Sequence, residues 1–138
     1  MLNVAEIMTS NPEHIVATGS VQEAINKLFE LDARHLPVVD EHGELVGVLS
    51  DRDLREYSQP LEMQFDNLTS SNEREETSVS DIMSGDVISA HPEDDVTEII
   101  DIMIDQKVGA VPIVDPRDGS LVGIVSYIDI LREAAEYF

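Results

Sequence analysis

Cysteine is absent from these 138 residues, which excludes disulfides, thiolate nucleophiles and cysteine-ligated metals. Basic residues are scarce. Eight lysines and arginines stand against 29 acids, for a formal charge of −21, and only Lys27 and Lys107 are lysines. Such a field repels nucleic-acid backbone and anionic membrane, and no run of bases along the sequence offsets it. No stretch approaches the ~18 apolar residues of a membrane span. The N-terminus, MLNVAEIMTSNPEH, has no basic segment followed by an apolar run, so no signal peptide is read there. The expectation is a cytoplasmic protein with neither nucleic-acid partners nor membrane insertion. The acidity itself reads as a solubilising surface, as adaptation to a high-salt cytoplasm, or as a lure for a basic partner. The sequence does not choose among the three.

Catalytic patterns are also missing. His14, His35, His42 and His91 form no His-x-x-x-His or His-Glu-x-x-His spacing, so zinc is not expected. The acids Glu93-Asp94-Asp95 read better as helix-opening residues than as cation ligands. No Gly-x-x-x-x-Gly-Lys-Ser/Thr loop exists, and no serine sits in a nucleophile elbow. The chain is not expected to be an enzyme and has no obligatory cofactor.

What is present is one message written twice. Val4, Met8, Val21 and Pro37 recur as Val79, Met83, Val96 and Pro112, and Gly47, Ser50 and Asp53 recur as Gly123, Ser126 and Asp129. Residues 1–57 form the first copy, 58–78 a polar linker, and 79–138 the second copy. A unit of this size buries too little surface to be stable alone, so the copies are expected to share one body.

Each copy reads as β-α-β-β-α after a short apolar helix, Val4–Met8 or Val79–Met83. Brief strands are expected at His14–Ala17 and Val87–Ala90. Apolar stripes at Val21, Ala24, Ile25 and Leu28, and at Val96, Ile99, Ile100 and Met103, mark amphipathic helices. Ser20 and Asp95 are placed to cap them. Hairpins come next, Leu36–Leu49 and Ala110–Val125, with Pro37 and Pro112 near their strand starts, where a missing N–H is tolerated. Closing helices are expected at Asp51–Tyr57 and Tyr127–Tyr137.

The densest chemistry is Gly47-x-x-Ser50-x-x-Asp53 and Gly123-x-x-Ser126-x-x-Asp129. A carboxylate accepts from both hydroxyls of a ribose, and a helix start offers unpaired N–H groups to phosphate. The same spacing also makes a capping box that needs no ligand. Arg34 and His35 precede Pro37, either as phosphate contacts or as bases complementing a helix C-terminus. Gly109 and Ala110 stand there in the second copy.

Both copies carry apolar-Pro-apolar-apolar-Asp, then Gly-x-x-Ser-x-x-Asp. In this the chain resembles the cystathionine β-synthase (CBS) domain, here as a tandem pair or Bateman module. The resemblance implies an α/β (α+β) fold of two βαββα repeats packed about a pseudo-two-fold axis, commonly paired as a homodimer. It implies adenosine-type ligands (AMP, ADP, ATP with Mg²⁺, or S-adenosylmethionine) in clefts between repeats, and an effector enzyme, channel or transporter under their control. One cleft would combine Asp53, Ser50, Arg34 and His35 with Ile88, Val108 and Gly109. The other would combine Asp129 and Ser126 with Ile15, Ala17 and Ala33. The Asp53 site is expected to favour a phosphorylated adenosine. The alternative is a ligand-independent homodimerisation or scaffold module.

Overall fold

A computed structural model describes residues 2–31, 34–55 and 77–138. In chain order the described elements are α1 (Val4–Ile7), β1 (Thr9–Ser10), β2 (Ile15–Val16), α2 (Val21–Leu31), β3 (His35–Val39), β4 (Leu45–Ser50), α3 (Val79–Ile82), α4 (Val96–Gln106), β5 (Ala110–Val114), β6 (Leu121–Ser126) and α5 (Tyr127–Ala134), which a 3₁₀ turn (Ala135–Tyr137) extends. The fold is α+β, with two three-stranded sheets ordered β1-β6-β5 and β2-β3-β4.

Two compact units result, and they cut across the sequence repeats. Among the described residues, the Ser126 unit collects 2–12, 43–45 and 88–138, and the Ser50 unit collects 13–31, 34–42, 46–55 and 77–87. The lead helix of each copy therefore belongs with the hairpin of the other copy. In the Ser126 unit, the first N–H groups of α1 are satisfied by the loop before α4: Val4 N–H donates to Asp94 O (2.8 Å) and Ala5 N–H to Pro92 O (2.9 Å). In the Ser50 unit, Val79 N–H donates to Gly19 O (2.8 Å) and Ser80 N–H to Ala17 O (3.1 Å). A helix of one turn cannot satisfy its own N-terminus, so these loop carbonyls hold it.

The amphipathic stripes build both cores. Val21, Ala24 and Leu28 turn the buried face of α2 onto Ile15, Leu36, Val38, Leu49, Leu54 and Val79. In the other unit Val4, Ala90, Ile99, Val111, Ile113 and Val125 pack together. The expected caps form: Ser20 Oγ accepts from Glu23 N–H (3.1 Å) and Asp95 Oδ1 from Thr97 N–H (3.0 Å). At its far end α4 is closed by Lys107 in the left-handed region, φ 56° and ψ 44°.

Pro112 stands opposite Ile124 in the β5–β6 ladder, and its carbonyl accepts from Ala90 N–H (3.1 Å). Strand β2 pairs with β3 only at Val38 and Val39, and Ala90 meets β5 at Ile113, one residue past each proline. Gly47 and Gly123 permit a close approach. Met83 Sδ lies on the bare face of Gly47 and Met8 Sδ on that of Gly123, so a Cβ at either glycine would overlap the sulfur.

Three expectations are corrected. The loop after α1 contains a strand, β1, because Thr9 and Ser10 pair antiparallel with Ile124 and Gly123. The expected strand Val87–Ala90 shrinks to one parallel bridge at Ala90, since only Ala90 is buried in that segment and Pro92 comes soon after. The expected helix Asp51–Tyr57 is, over its described residues, a run of tight turns. Asp53, Leu54 and Arg55 N–H groups donate three residues back to Ser50, Asp51 and Arg52 carbonyls (3.1–3.2 Å). Among the described residues 51–55 only Leu54 is apolar and buried, whereas α5 carries Ile128, Ile130 and Leu131. Residues 56–57, and the linker apart from Thr77 and Ser78, lie outside the described residues.

Candidate functional site

The two Ser-x-x-Asp turns are built alike. Strand β4 ends at Ser50, whose backbone N–H donates to Asp53 Oδ2 (2.9 Å), while Asp53 N–H donates to Ser50 Oγ (3.2 Å). Strand β6 ends at Ser126, whose N–H donates to Asp129 Oδ2 (2.9 Å). Ser126 Oγ donates to the same oxygen (3.1 Å) and accepts from Asp129 N–H (3.3 Å). The capping-box carboxylate and the candidate binding group are thus the same side chain. Only Oδ2 is engaged in the cap; Oδ1 of each aspartate accepts no hydrogen bond from the described residues. Both aspartates are half-buried.

A second hydrogen bond draws the segment before each proline to its turn. Asp51 N–H donates to Arg34 O (2.9 Å), and Tyr127 N–H donates to Gly109 O (2.9 Å). The Ser50 unit therefore gathers Ser50, Asp53 and Arg34, with half-buried His35 opening β3. The Ser126 unit gathers Ser126, Asp129 and Gly109, with half-buried Val108 beside them. Ile88 is 36% exposed in the same unit.

Two residues sit differently from what the sequence suggested. Ile15 is 5% exposed and belongs to the hydrophobic core of the Ser50 unit; because side chains alternate along β2, its neighbour Val16 is the one that faces outward. Ala17 is half-buried against that core and donates its N–H to Val39 O (2.8 Å). Ala33 lies outside the described residues.

The electrostatics of the two turns diverge more than the sequence suggested. Arg34, Arg52 and Arg55 are all exposed on the segments that form the Ser50 turn. Three of the chain's eight bases stand there, although no run of bases announces them. At the matching positions of the Ser126 turn stand Gly109, Ile128 and Leu131, with Ile128 39% and Leu131 58% exposed. Tyr127, 51% exposed, replaces Asp51. Arg55 was missed because its place in the turn, where its N–H donates to Arg52 O (3.2 Å), carries no local sequence signal; the signal available was its equivalence to Leu131.

Other charges serve the hairpin turns. Asp115 accepts from Arg117 N–H (2.9 Å), Nε (3.1 Å) and Nη2 (2.7 Å), and this bidentate grip holds its carboxyl down to about 2. Asp118 accepts from Ser120 N–H (2.9 Å) and Asp40 from His42 N–H (2.8 Å). Among the described residues, no cluster of histidines and acids is arranged to hold a metal ion, and no helix is long and apolar enough to cross a membrane.

Comparison with known proteins agrees with this architecture. The family model of the CBS domain matches residues 4–59 and 79–136. A CBS domain pair solved in complex with 5′-methylthioadenosine and S-adenosyl-L-methionine is 28% identical, with a TM-score of 0.76, over 100% of this chain and 99% of that one. CBSX2, solved in complex with AMP, is 26% identical, with a TM-score of 0.81, over 99% of this chain and 98% of that one. A homoserine O-acetyltransferase of Methanohalobium evestigatum is 28% identical over 97% of this chain. The match takes in only 24% of that enzyme, and the chain spans less than a quarter of the length of three curated relatives it is similar to.

Proposed function

The chain belongs to the CBS domain family, and on that premise we propose that it is a regulatory module that binds adenosine-type ligands at its two Ser-x-x-Asp turns and passes the bound state to a partner. The observation that carries this reading is the division of labour within each aspartate. Oδ2 holds the turn, and Oδ1 is left to accept from the ribose hydroxyls.

The turns are proposed to choose different ligands. Arg34, Arg52 and Arg55 suit the Ser50 turn to a phosphorylated adenosine, with His35 beside them. AMP fits best; ATP would arrive with Mg²⁺. The turn at Ser126 offers Tyr127, Ile128 and Leu131 instead, which suits an adenosine whose 5′ substituent is apolar or uncharged. Val108, Gly109 and Ile88, and Ala17 and Ala33, are the remaining proposed contacts, while Ile15 stays in the core of the Ser50 unit. That solved CBS pairs hold AMP in one case and 5′-methylthioadenosine with S-adenosyl-L-methionine in another supports both preferences. Ligand can shift the module between poses only by its differential affinity for them. The effector, an enzyme or transporter, is proposed to read that shift. We assign the module itself no reaction.

Calorimetric titration with AMP, ATP, S-adenosylmethionine and 5′-methylthioadenosine tests the reading. Asp53→Asn keeps an oxygen for the Ser50 N–H but presents an amide to the ribose, so AMP affinity should fall at least about tenfold, or ~1.4 kcal/mol, while the fold survives. No heat with any of the four ligands would sink the proposal, as would an Asp53→Asn variant that binds AMP normally.

A rival reading, ligand-independent assembly, has its own observation. Phe29 (88% exposed) and Ile104 (66% exposed) occupy the same repeat position on α2 and α4, and apolar side chains displayed that openly suit a second copy of the chain. Sedimentation with and without AMP separates the two. A dimer indifferent to ligand supports assembly, and a ligand-dependent change supports sensing.

A further inference from the structure

We propose that Met8 and Met83 are a matched pair of oxidation sites, at which a peroxide converts the thioether to the sulfoxide and releases the short helix that each methionine closes. With no cysteine in the chain, its five methionines carry all of its sulfur chemistry, and no thiol competes for the oxidant. Met8 and Met83 are the C-caps of α1 and α3, donating their N–H groups to Val4 O and Val79 O (both 2.9 Å). Their sulfurs lie on Gly123 and Gly47, and each side chain packs at the edge of its unit's core. Both are half-buried, so neither side chain is sealed from solvent.

The reaction balances with hydrogen peroxide alone. A sulfur lone pair takes one peroxide oxygen, the O–O bond breaks, the sulfur loses two electrons, and the second oxygen leaves as water with both protons. The product cannot keep the old seat. A glycine hydrogen is already all that fits against each sulfur. The new S–O group needs a donor, and the strand groups at hand are committed: Val48 N–H to Ser84 O (3.1 Å), Ser84 N–H to Val48 O (3.0 Å), Asn11 N–H to Val122 O (3.2 Å). An added oxygen therefore meets backbone on one side and an unmet hydrogen-bonding demand on the other.

Directly after Met8 the chain enters β1, the partner of β6; directly after Met83 it reaches Ser84, bridged to β4. Strands β6 and β4 are the two that end at Ser126 and Ser50. Oxidation at each methionine is thereby coupled to the strand that presents the adjacent turn, once per unit. Any loss of nucleotide affinity on oxidation rests on the function proposed above, whereas release of the helices does not.

The full chain is treated with hydrogen peroxide, the sulfoxides are located by peptide mass spectrometry, and hydrogen exchange and the thermal midpoint are measured without ligand. The expected result is one added oxygen on Met8 and on Met83, faster exchange at residues 9–11 with Val122–Ile124 and at Ser84 with Val48, and a midpoint about 5 °C lower. Methionine sulfoxide reductase should reverse the shift. The Met8→Leu/Met83→Leu double variant, near-conserved in volume, keeps Met1, Met63 and Met103 and should hold its midpoint through the same treatment. The proposal is overturned if Met8 and Met83 stay reduced while Met103 is oxidised. Sulfoxides at both sites with unchanged exchange and midpoint would also overturn it, as would an equal loss of stability in the double variant. AMP titration of the untreated protein stands apart and bears only on the function.

Discussion

Replacing the arginines of the Ser50 turn with their equivalents from the other unit, Arg34→Gly, Arg52→Ile and Arg55→Leu, should abolish the proposed preference of that turn for phosphate while leaving the proposed ribose contact intact. All three arginines are exposed, so their interactions run in a medium close to water. At ~4 Å a unit charge pair is worth about 1 kcal/mol there, and measured exposed pairs give about 0.2–1 kcal/mol. Taking 0.5–1 kcal/mol for each, the three together supply about 1.5–3 kcal/mol, a roughly 10- to 150-fold preference for AMP over adenosine. The acidic body opposes the phosphate, but exposed charges beyond ~8 Å are largely screened at physiological salt. Isothermal titration of AMP and adenosine, on the parent and the triple variant at low and moderate ionic strength, measures the ratio directly. Adenosine affinity should stay within about twofold. AMP affinity should fall to the adenosine level, and the salt dependence of AMP binding should flatten. An unchanged AMP-to-adenosine ratio in the triple variant would refute the assignment of phosphate to this turn, even if both ligands bind. Equal loss of both ligands would show instead that the substitutions had damaged the turn.

Core truncation at Ile99, fully buried in the Ser126 unit, should cost about 2–5 kcal/mol as Ile99→Ala in chemical denaturation. Lys107→Gly should stabilise by roughly 0.5–1 kcal/mol, because it removes a side chain from a left-handed residue; a loss of stability would show that Lys107 has a role beyond closing α4. Asp115 should titrate by NMR with a midpoint about 2 rather than 3.8, and Arg117→Ala should return it toward 3.8. Since its folded value lies below the unfolded one, the stability it lends is present above about pH 4 and drains away as the pH falls toward 2.

The parts of the fold that were legible are those written in local patterns. Helix α2 follows from Val21, Ala24 and Leu28 with Ser20 ahead of them; the hairpins follow from apolar runs bounding Gly43 and Gly119; Asp53 and Asp129 were identified because both copies repeat them. What was not legible depends on distance in the chain. Thr9 and Ser10 carry no strand signal of their own and become β1 only because Gly123 and Ile124 offer an edge. Ile15 and Val16 are chemically alike, and only the side of the sheet that α2 covers decides which is core and which is outward. The segment of Arg34 likewise meets the segment of Arg52 and Arg55 through one backbone hydrogen bond from Asp51, a bond that no spacing rule predicts.

The exchange of lead helices between the repeats has a consequence for how the chain is made. Val4 leaves water completely, yet the surface that buries it includes Ile99, Val111, Ile113 and Val125. On a ribosome, those partners emerge roughly a hundred residues later, so residues 2–12 must wait, unpaired, until nearly the whole chain is out. Long-range closure of this kind is slow and leaves strand edges open in the interval. A fragment that stops after the first repeat would hold a helix without its sheet and a sheet without its helix. Two such fragments meeting in solution could complete each other across chains. The duplicated sequence is thus not a pair of independent parts, and neither copy can be discarded, borrowed or evolved alone without leaving the other unfinished.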